Sequence, residues 1–178
     1  AYVASLYKKG DPKKQENYRP ISLLCSCYKV YAALIQKRLA EALDGDVLFT
    51  QFGFRQKRST STPLACIRRL CERAEATKDH FVVFLDWEKA FDKIYQDKLF
   101  EAMARMRIDD KLIRLVKQLY KNPKFVVEMD GETSNWKKQE TGIRQGCTLS
   151  PYLFLILMTV LFIDVYEDEE LINSLEEH

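Results

Sequence analysis

Histidine is scarce in these 178 residues, limited to His80 and His178, and the five cysteines (Cys25, Cys27, Cys66, Cys71 and Cys147) contain no Cys-x-x-Cys pair. A zinc centre therefore lacks ligands at workable spacing. Free and mostly buried thiols in an intracellular reducing compartment, nucleus or cytoplasm, are expected instead. No apolar run reaches the ~20 residues that cross a bilayer, so the stretch from Tyr152 to Val165 reads as a buried core helix and no membrane span is expected. No opening segment joins a basic head to an apolar run, so no secretory leader is expected, and Ala1 begins in mid-pattern, as in a piece of a longer product. Repeats and low-complexity linkers are also missing. With 47% hydrophobic and 30% charged residues, the chain has the balance of a folded globular domain, and its length suits one such domain.

Net charge is only +2 but unevenly spread. Residues 1–80 hold fifteen Lys and Arg against eight Asp and Glu, whereas the stretch from Tyr166 onward holds six acidic residues and no Lys or Arg. A basic front suits a polyanion such as nucleic acid; a solvated surface with no ligand has the same composition.

Glycine and proline punctuate the segment from Lys8 to Gln15, which reads as an exposed loop or hairpin. After Pro20, apolar residues from Leu23 through Leu39 toward Leu43 recur at helical spacing and predict one long amphipathic helix. Ser61-Thr62-Pro63 reads as a second helix start. The run Phe81-Val82-Val83-Phe84-Leu85 is β-branched and aromatic and predicts a buried strand ending at Asp86. Helical patterns follow at Leu99 to Met106 and Asp110 to Tyr120. Asp130-Gly131, between Phe125 and Trp136, signals a hairpin, and Ser150-Pro151 caps the apolar helix.

Four places carry chemistry. Asp86, at the tip of a strand and followed by Trp87-Glu88-Lys89-Ala90-Phe91-Asp92, is held as a Mg²⁺ ligand should be, although an Asp at such a junction is also a common helix cap. In Thr141-Gly142-Ile143-Arg144-Gln145-Gly146-Cys147, two glycines allow close backbone approach while Arg144 and Gln145 hydrogen-bond a ligand; a plain loop before a capped helix is the alternative. In the segment from Gln51 to Thr60, Phe52 and Phe54 alternate with Arg55, Lys57 and Arg58, so rings could stack on bases and cations meet phosphates, or the rings could anchor the loop in the core. Lys8 and Arg19, in a basic loop and in Asn17-Tyr18-Arg19-Pro20-Ile21-Ser22-Leu23, could neutralise phosphate or be simply solvated.

In this order and spacing, Tyr-Arg-Pro-Ile-Ser-Leu, Gly-Phe-Arg with Ser-Thr, Phe-Leu-Asp with Ala-Phe-Asp, and Gly-Ile-Arg-Gln-Gly with Leu-Ser-Pro resemble the reverse transcriptase domain of non-LTR, LINE-type retrotransposons, which is similar to that of group II intron enzymes. The resemblance runs from about Ser5 to Val165. It implies an incomplete α+β right-hand polymerase fold: fingers over residues 1–80, partial palm with helical and hairpin insertions over 81–165, and an acidic tail over 166–178. Asp86 is implied as the catalytic carboxylate and a ligand of two Mg²⁺ ions. Phe91 is implied as a steric gate against the 2′-hydroxyl. Lys8 and Arg19 would hold the incoming triphosphate, and Gly142, Arg144, Gln145 and Gly146 would line the nucleotide. Phe54, Arg55, Arg58, Ser59 and Thr60 would meet the template. Partners would be an RNA template, a DNA primer and a deoxynucleoside triphosphate.

The family carries a second acidic motif, a Tyr or Phe, a variable residue and two aspartates, on a hairpin after the helix that begins here at Pro151. These residues hold no such pattern, and one carboxylate does not hold two divalent ions together against their repulsion. RNA-directed DNA polymerase function is therefore expected of the intact parent, and inactivity of the isolated chain. A nucleic-acid binder without chemistry, or a structural subunit of a larger assembly, are the other readings.

Overall fold

The computed structural model describes residues 1–77, 82–129 and 131–167. Among the described residues the fold is α+β, with five helices and a mixed sheet. Strand β1 (Tyr2–Tyr7) turns back through the exposed Lys8–Lys14 segment and a short 3₁₀ turn (Gln15–Asn17) into β2 (Tyr18–Leu23). The two are antiparallel, pairing Val3 with Ser22 and Ser5 with Pro20. Pro20 has no N–H to give a ladder and so sits on an outer strand, β2 being the edge of the sheet order β2-β1-β3-β4.

On its other side β1 pairs in parallel with β3 (Lys124–Met129), Val3 lying beside Val127. The sheet thus joins the front of the chain to its rear half, across the boundary at residue 80. Strand β4 (Glu132–Thr133) completes the hairpin signalled by Asp130-Gly131; Asp130 lies outside the described residues, and Gly131 has φ +83°. Strand β5 (Lys137–Lys138) pairs with the start of β3.

Helices α1 (Ser26–Leu43), α2 (Ser61–Thr77), α3 (Gln96–Arg105), α4 (Asp110–Leu119) and α5 (Ser150–Glu167) match the expected periodicity with one shift. Helix α1 does not take up Leu23 and Leu24. Leu23 ends β2, because the β1 ladder supplies hydrogen bonds through to Tyr2–Leu23. The core lies between α1, α3, α4 and α5, where Leu39, Leu99, Val116 and Leu153 are wholly buried; each such leucine contributes about 2 kcal/mol. The apolar stretch from Tyr152 is a core helix, as expected, and among the described residues no helix is long and apolar enough to cross a membrane. Near its end Asp164 forms a two-pronged ion pair with Arg105 of α3, which holds the Asp164 carboxyl below its usual range.

Two expectations are corrected. Val82–Leu85 do not form a buried strand: they carry no regular structure, and Val83 and Phe84 are each 79% exposed. A β-branched run becomes a buried strand only where a neighbouring strand pairs its backbone, and all the described strands pair elsewhere; Phe81 lies outside the described residues. The thiols are free but not mostly buried, since Cys25, Cys27, Cys66 and Cys71 are exposed and Cys147 alone is buried. Cys66 and Cys71 ride on α2, whose Leu64 and Leu70 are also at least half exposed.

Tyr152 on α5 donates its hydroxyl to the Leu39 carbonyl at 3.4 Å, and burial pushes its pKa from 10.0 up to about 12. The raised folded-state value means that stability is whole below pH 10 and is lost between about pH 10 and 12, where the unfolded chain ionises first. The melting temperature is expected to fall over that range, and Tyr152→Phe to flatten the fall by about 2–4 °C per pH unit. Thermal melts at pH 9, 10 and 11 measure the difference.

Candidate nucleotide-binding cleft

One face of the sheet forms the floor of a cleft of about 1070 Å³. Side chains alternate along strands, so Val3 and Ser5 of β1, Tyr18, Pro20 and Ser22 of β2, and Phe125 and Val127 of β3 share this face. The wall is the loop Gln139–Gln145 together with Lys89 and Asp92. Lys14, Lys89, Lys138 and Arg144 line it against the carboxylates of Glu16, Asp92 and Glu140, leaving a mixed field with a cationic excess.

The wall is built by two loops locked to each other. Gly142 N–H donates to Ile94 O at 2.7 Å and Ile143 N–H to Phe91 O at 2.8 Å, while the Thr141 hydroxyl reaches Asp92 O at 3.2 Å. Gly142, at φ +83°, is so close that a Cβ there would lie 2.8 Å from Asp92 O. The Gly142 carbonyl accepts from the side-chain amides of Gln96 and Gln139. At the far end of the loop Gly146, at φ +98°, abuts Ser22 O of β2, and Ser22 N–H donates to Gln145 O at 2.8 Å. Close backbone approach, read in the sequence as an approach to a ligand, is here an approach of backbone to backbone.

Gln145 is half-buried and donates Nε2 to Asp92 Oδ1 at 2.9 Å. Arg144 stacks its guanidinium between the rings of Tyr28, at 5.0 Å, and Tyr120, at 5.7 Å. Burial pushes both phenols' pKa values upward, so the rings stay neutral beneath the cation.

The other expected site residues lie as follows. Phe91 is half-buried next to Asp92 and stacks on Phe154 of α5 with centroids 5.2 Å apart. Asp86 is exposed and does not line the cleft. Lys8, at the β1–β2 turn, and Arg19, on the opposite face of β2 from Tyr18 and Pro20, do not line it either.

Arg55 is folded inward, its side chain only 5% exposed. It donates to Asp44 Oδ1 at 2.9 Å, Asp44 O at 2.6 Å and Leu48 O at 3.1 Å, and holds the Asp44 carboxyl below its usual range. Arg58 donates to Phe49 O at 3.0 Å and stacks on Phe49 and Phe52. These two arginines therefore brace the loop after α1, whereas Phe54, Ser59 and Thr60 are exposed. Lys14, Lys89, Lys138 and Asp92 carried no site role in the sequence reading. Lys89 and Asp92 flank Phe91 in a motif already singled out, while Lys138 reaches the cleft only through the pairing of β5 with β3.

Residues 9–173 match the family described as reverse transcriptase (RNA-dependent DNA polymerase). The chain belongs to this family. Its resemblance to the non-LTR branch is borne out by its relatives. It is 32% identical over 160 residues to the RNA-directed DNA polymerase from mobile element jockey of Drosophila funebris, a match covering 88% of this chain and 17% of that protein. It is 29% identical to the probable RNA-directed DNA polymerase from transposon BS of Drosophila melanogaster, covering 88% and 18%. The transposon TX1 uncharacterized 149 kDa protein of Xenopus laevis is 30% identical, covering 86% and 12%. The chain thus spans less than a fifth of the length of these relatives. The solved structure of apo telomerase from Candida tropicalis, truncated from its C-terminal domain, is 16% identical and superposes with a TM-score of 0.49 over 86% of this chain and 38% of that one; the family assignment rests on sequence instead.

Reverse transcriptases act on nucleic acid and work with divalent metal ions. Among the described residues no group of three or more His, Cys, Asp or Glu side chains is placed to hold a metal ion. Asp86 offers one exposed carboxylate, a hard oxygen donor suited to such an ion, but it is a single ligand and not a complete site.

Proposed function

We propose that this segment forms the incoming-nucleotide side of an RNA-directed DNA polymerase of a non-LTR retroelement. The observation that carries the reading is the cleft wall itself, in which Gln145, fixed at side chain and backbone, lines the same cleft as Lys89, Lys138 and Arg144. An amide and several cations on a locked loop suit a triphosphate and its sugar. Lys14, Lys89, Lys138 and Arg144 neutralise phosphate, and Gln145 hydrogen-bonds the nucleotide. Phe91, its plane set by the stack on Phe154, does not line the cleft and would meet the sugar only from beside Asp92 at its edge. Phe54, Ser59 and Thr60 meet the RNA template on a loop braced by Arg55 and Arg58, and Lys8 and Arg19 meet nucleic-acid phosphates outside the cleft.

Asp86 would hold Mg²⁺ together with ligands from outside the described residues; bound there, the ion supplies charge neutralisation at the reacting phosphate. The division into fingers and partial palm, and an intracellular reducing compartment, belong to the same proposal, the second supported by four exposed free thiols. No observation favours the non-catalytic readings. The test is extension of a DNA primer on an RNA template by the full-length polypeptide that carries this segment. A templated DNA product that needs deoxynucleoside triphosphates and Mg²⁺ is expected; synthesis on neither RNA nor DNA templates would sink the proposal.

A further inference from the structure

Asp92 is half-buried, lines the cleft and accepts a hydrogen bond from the Gln145 amide at 2.9 Å. A carboxylate only accepts, so it selects the NH₂ end of that amide and leaves the carbonyl Oε1 and the second N–H for another partner. The Gln145 backbone is meanwhile pinned through its carbonyl by Ser22 N–H. We propose that Asp92 is a positioning residue for nucleotide recognition, setting which end of the Gln145 amide faces the cleft. The inference rests on the reading of the cleft as the nucleotide site.

Asp92 is placed for this role because its main chain is held independently of its side chain. The Asp92 carbonyl takes the Thr141 hydroxyl, and the neighbouring Phe91 and Ile94 carbonyls take the Ile143 and Gly142 N–H groups. None of these bonds involves the carboxylate, so removing it leaves the two loops joined. What is lost is the selection of amide orientation: without an acceptor, Gln145 turns freely about its last bond and offers donor and acceptor interchangeably. A recognition group held in one orientation binds without ordering it first, and the affinity gained is of the size of one charge-assisted hydrogen bond.

The test compares Asp92→Ala, Asp92→Asn, Gln145→Ala and the Asp92→Ala/Gln145→Ala pair in the full-length polypeptide, with steady-state incorporation of dTTP on a poly(rA) template primed with oligo(dT). Asp92→Ala is expected to raise KM for dTTP about tenfold while kcat changes less than about twofold. Asp92→Asn keeps an acceptor for Gln145 but also offers a donor and carries no charge, so it should recover only part of the loss. In the Gln145→Ala background, Asp92→Ala should add less than about twofold, because two residues acting through one contact are not additive. An equal effect of Asp92→Ala in both backgrounds, no effect of it at all, or a fall in kcat with a lowered melting temperature that Asp92→Asn does not restore would each overturn the inference and leave the nucleotide site standing. An unchanged KM in Gln145→Ala, or no templated incorporation by the unaltered protein, would instead overturn the site reading, and the inference with it.

Discussion

Asp86→Ala is expected to lower RNA-templated DNA synthesis by the full-length polypeptide by about 10³-fold or more. A ligand carboxylate at the reacting phosphate contributes several kcal/mol of charge stabilisation, and a loss of about 4 kcal/mol is about a thousandfold in rate. Asp86 is exposed and lies on a stretch with no regular structure, so the substitution should leave stability within about 0.5 kcal/mol. Affinity for the RNA–DNA hybrid should also stay within about twofold, since a carboxylate makes no favourable contact with phosphate. Single-turnover extension beside a filter-binding titration separates the two quantities. More than a tenth of the activity surviving in Asp86→Ala would remove that residue from the active site.

Gly142→Ala is expected to destabilise the chain by about 4 kcal/mol and to lower its melting temperature by about 8–16 °C. Two costs combine. A side chain at φ +83° is strained by about 1–3 kcal/mol, and the new methyl would stand 2.8 Å from the Asp92 carbonyl, a backbone atom already holding the Thr141 hydroxyl. Relief requires the two loops to part, which opens the bonds from Gly142 and Ile143 and displaces Gln145 from Asp92. Calorimetry of the variant reads the stability, and nucleotide KM reads the site. Gly131→Ala is the control: Gly131 also has positive φ, but nothing lies within 4 Å of a Cβ there, so only the strain should show. Equal losses at the two glycines would mean that the loop contact contributes nothing.

The helices were largely legible because each buries one face, and a 3.6-residue period survives in the order of residues. Helices α2, α3, α4 and α5 and the Gly131 hairpin fall where the pattern put them. The two errors of strand assignment share one cause. Strand β2 displaces the start of the expected helix because β1 pairs with it, and Val82–Leu85 stay exposed although their composition is that of a buried strand. A strand is a relation between segments distant in sequence, and its composition does not name its neighbour.

The site divides in the same way. The motifs around Phe91 and Gln145 were visible as residue types at set spacings, and the fold locks those two loops together. That Arg55 turns inward to cage the 44–51 loop, and that Lys138 arrives at the cleft by strand pairing, depended on partners that no local pattern specifies.

By itself the order of residues determined the family, the helical periods and the identity of the chemically capable side chains, since all three are local properties of the chain. The tertiary structure alone decided which of those side chains share a cleft, which arginines are consumed in holding a loop, and that Asp92 faces Gln145. Those outcomes follow from chain segments meeting in space, where 53 residues of separation between Asp92 and Gln145 close to a single hydrogen bond.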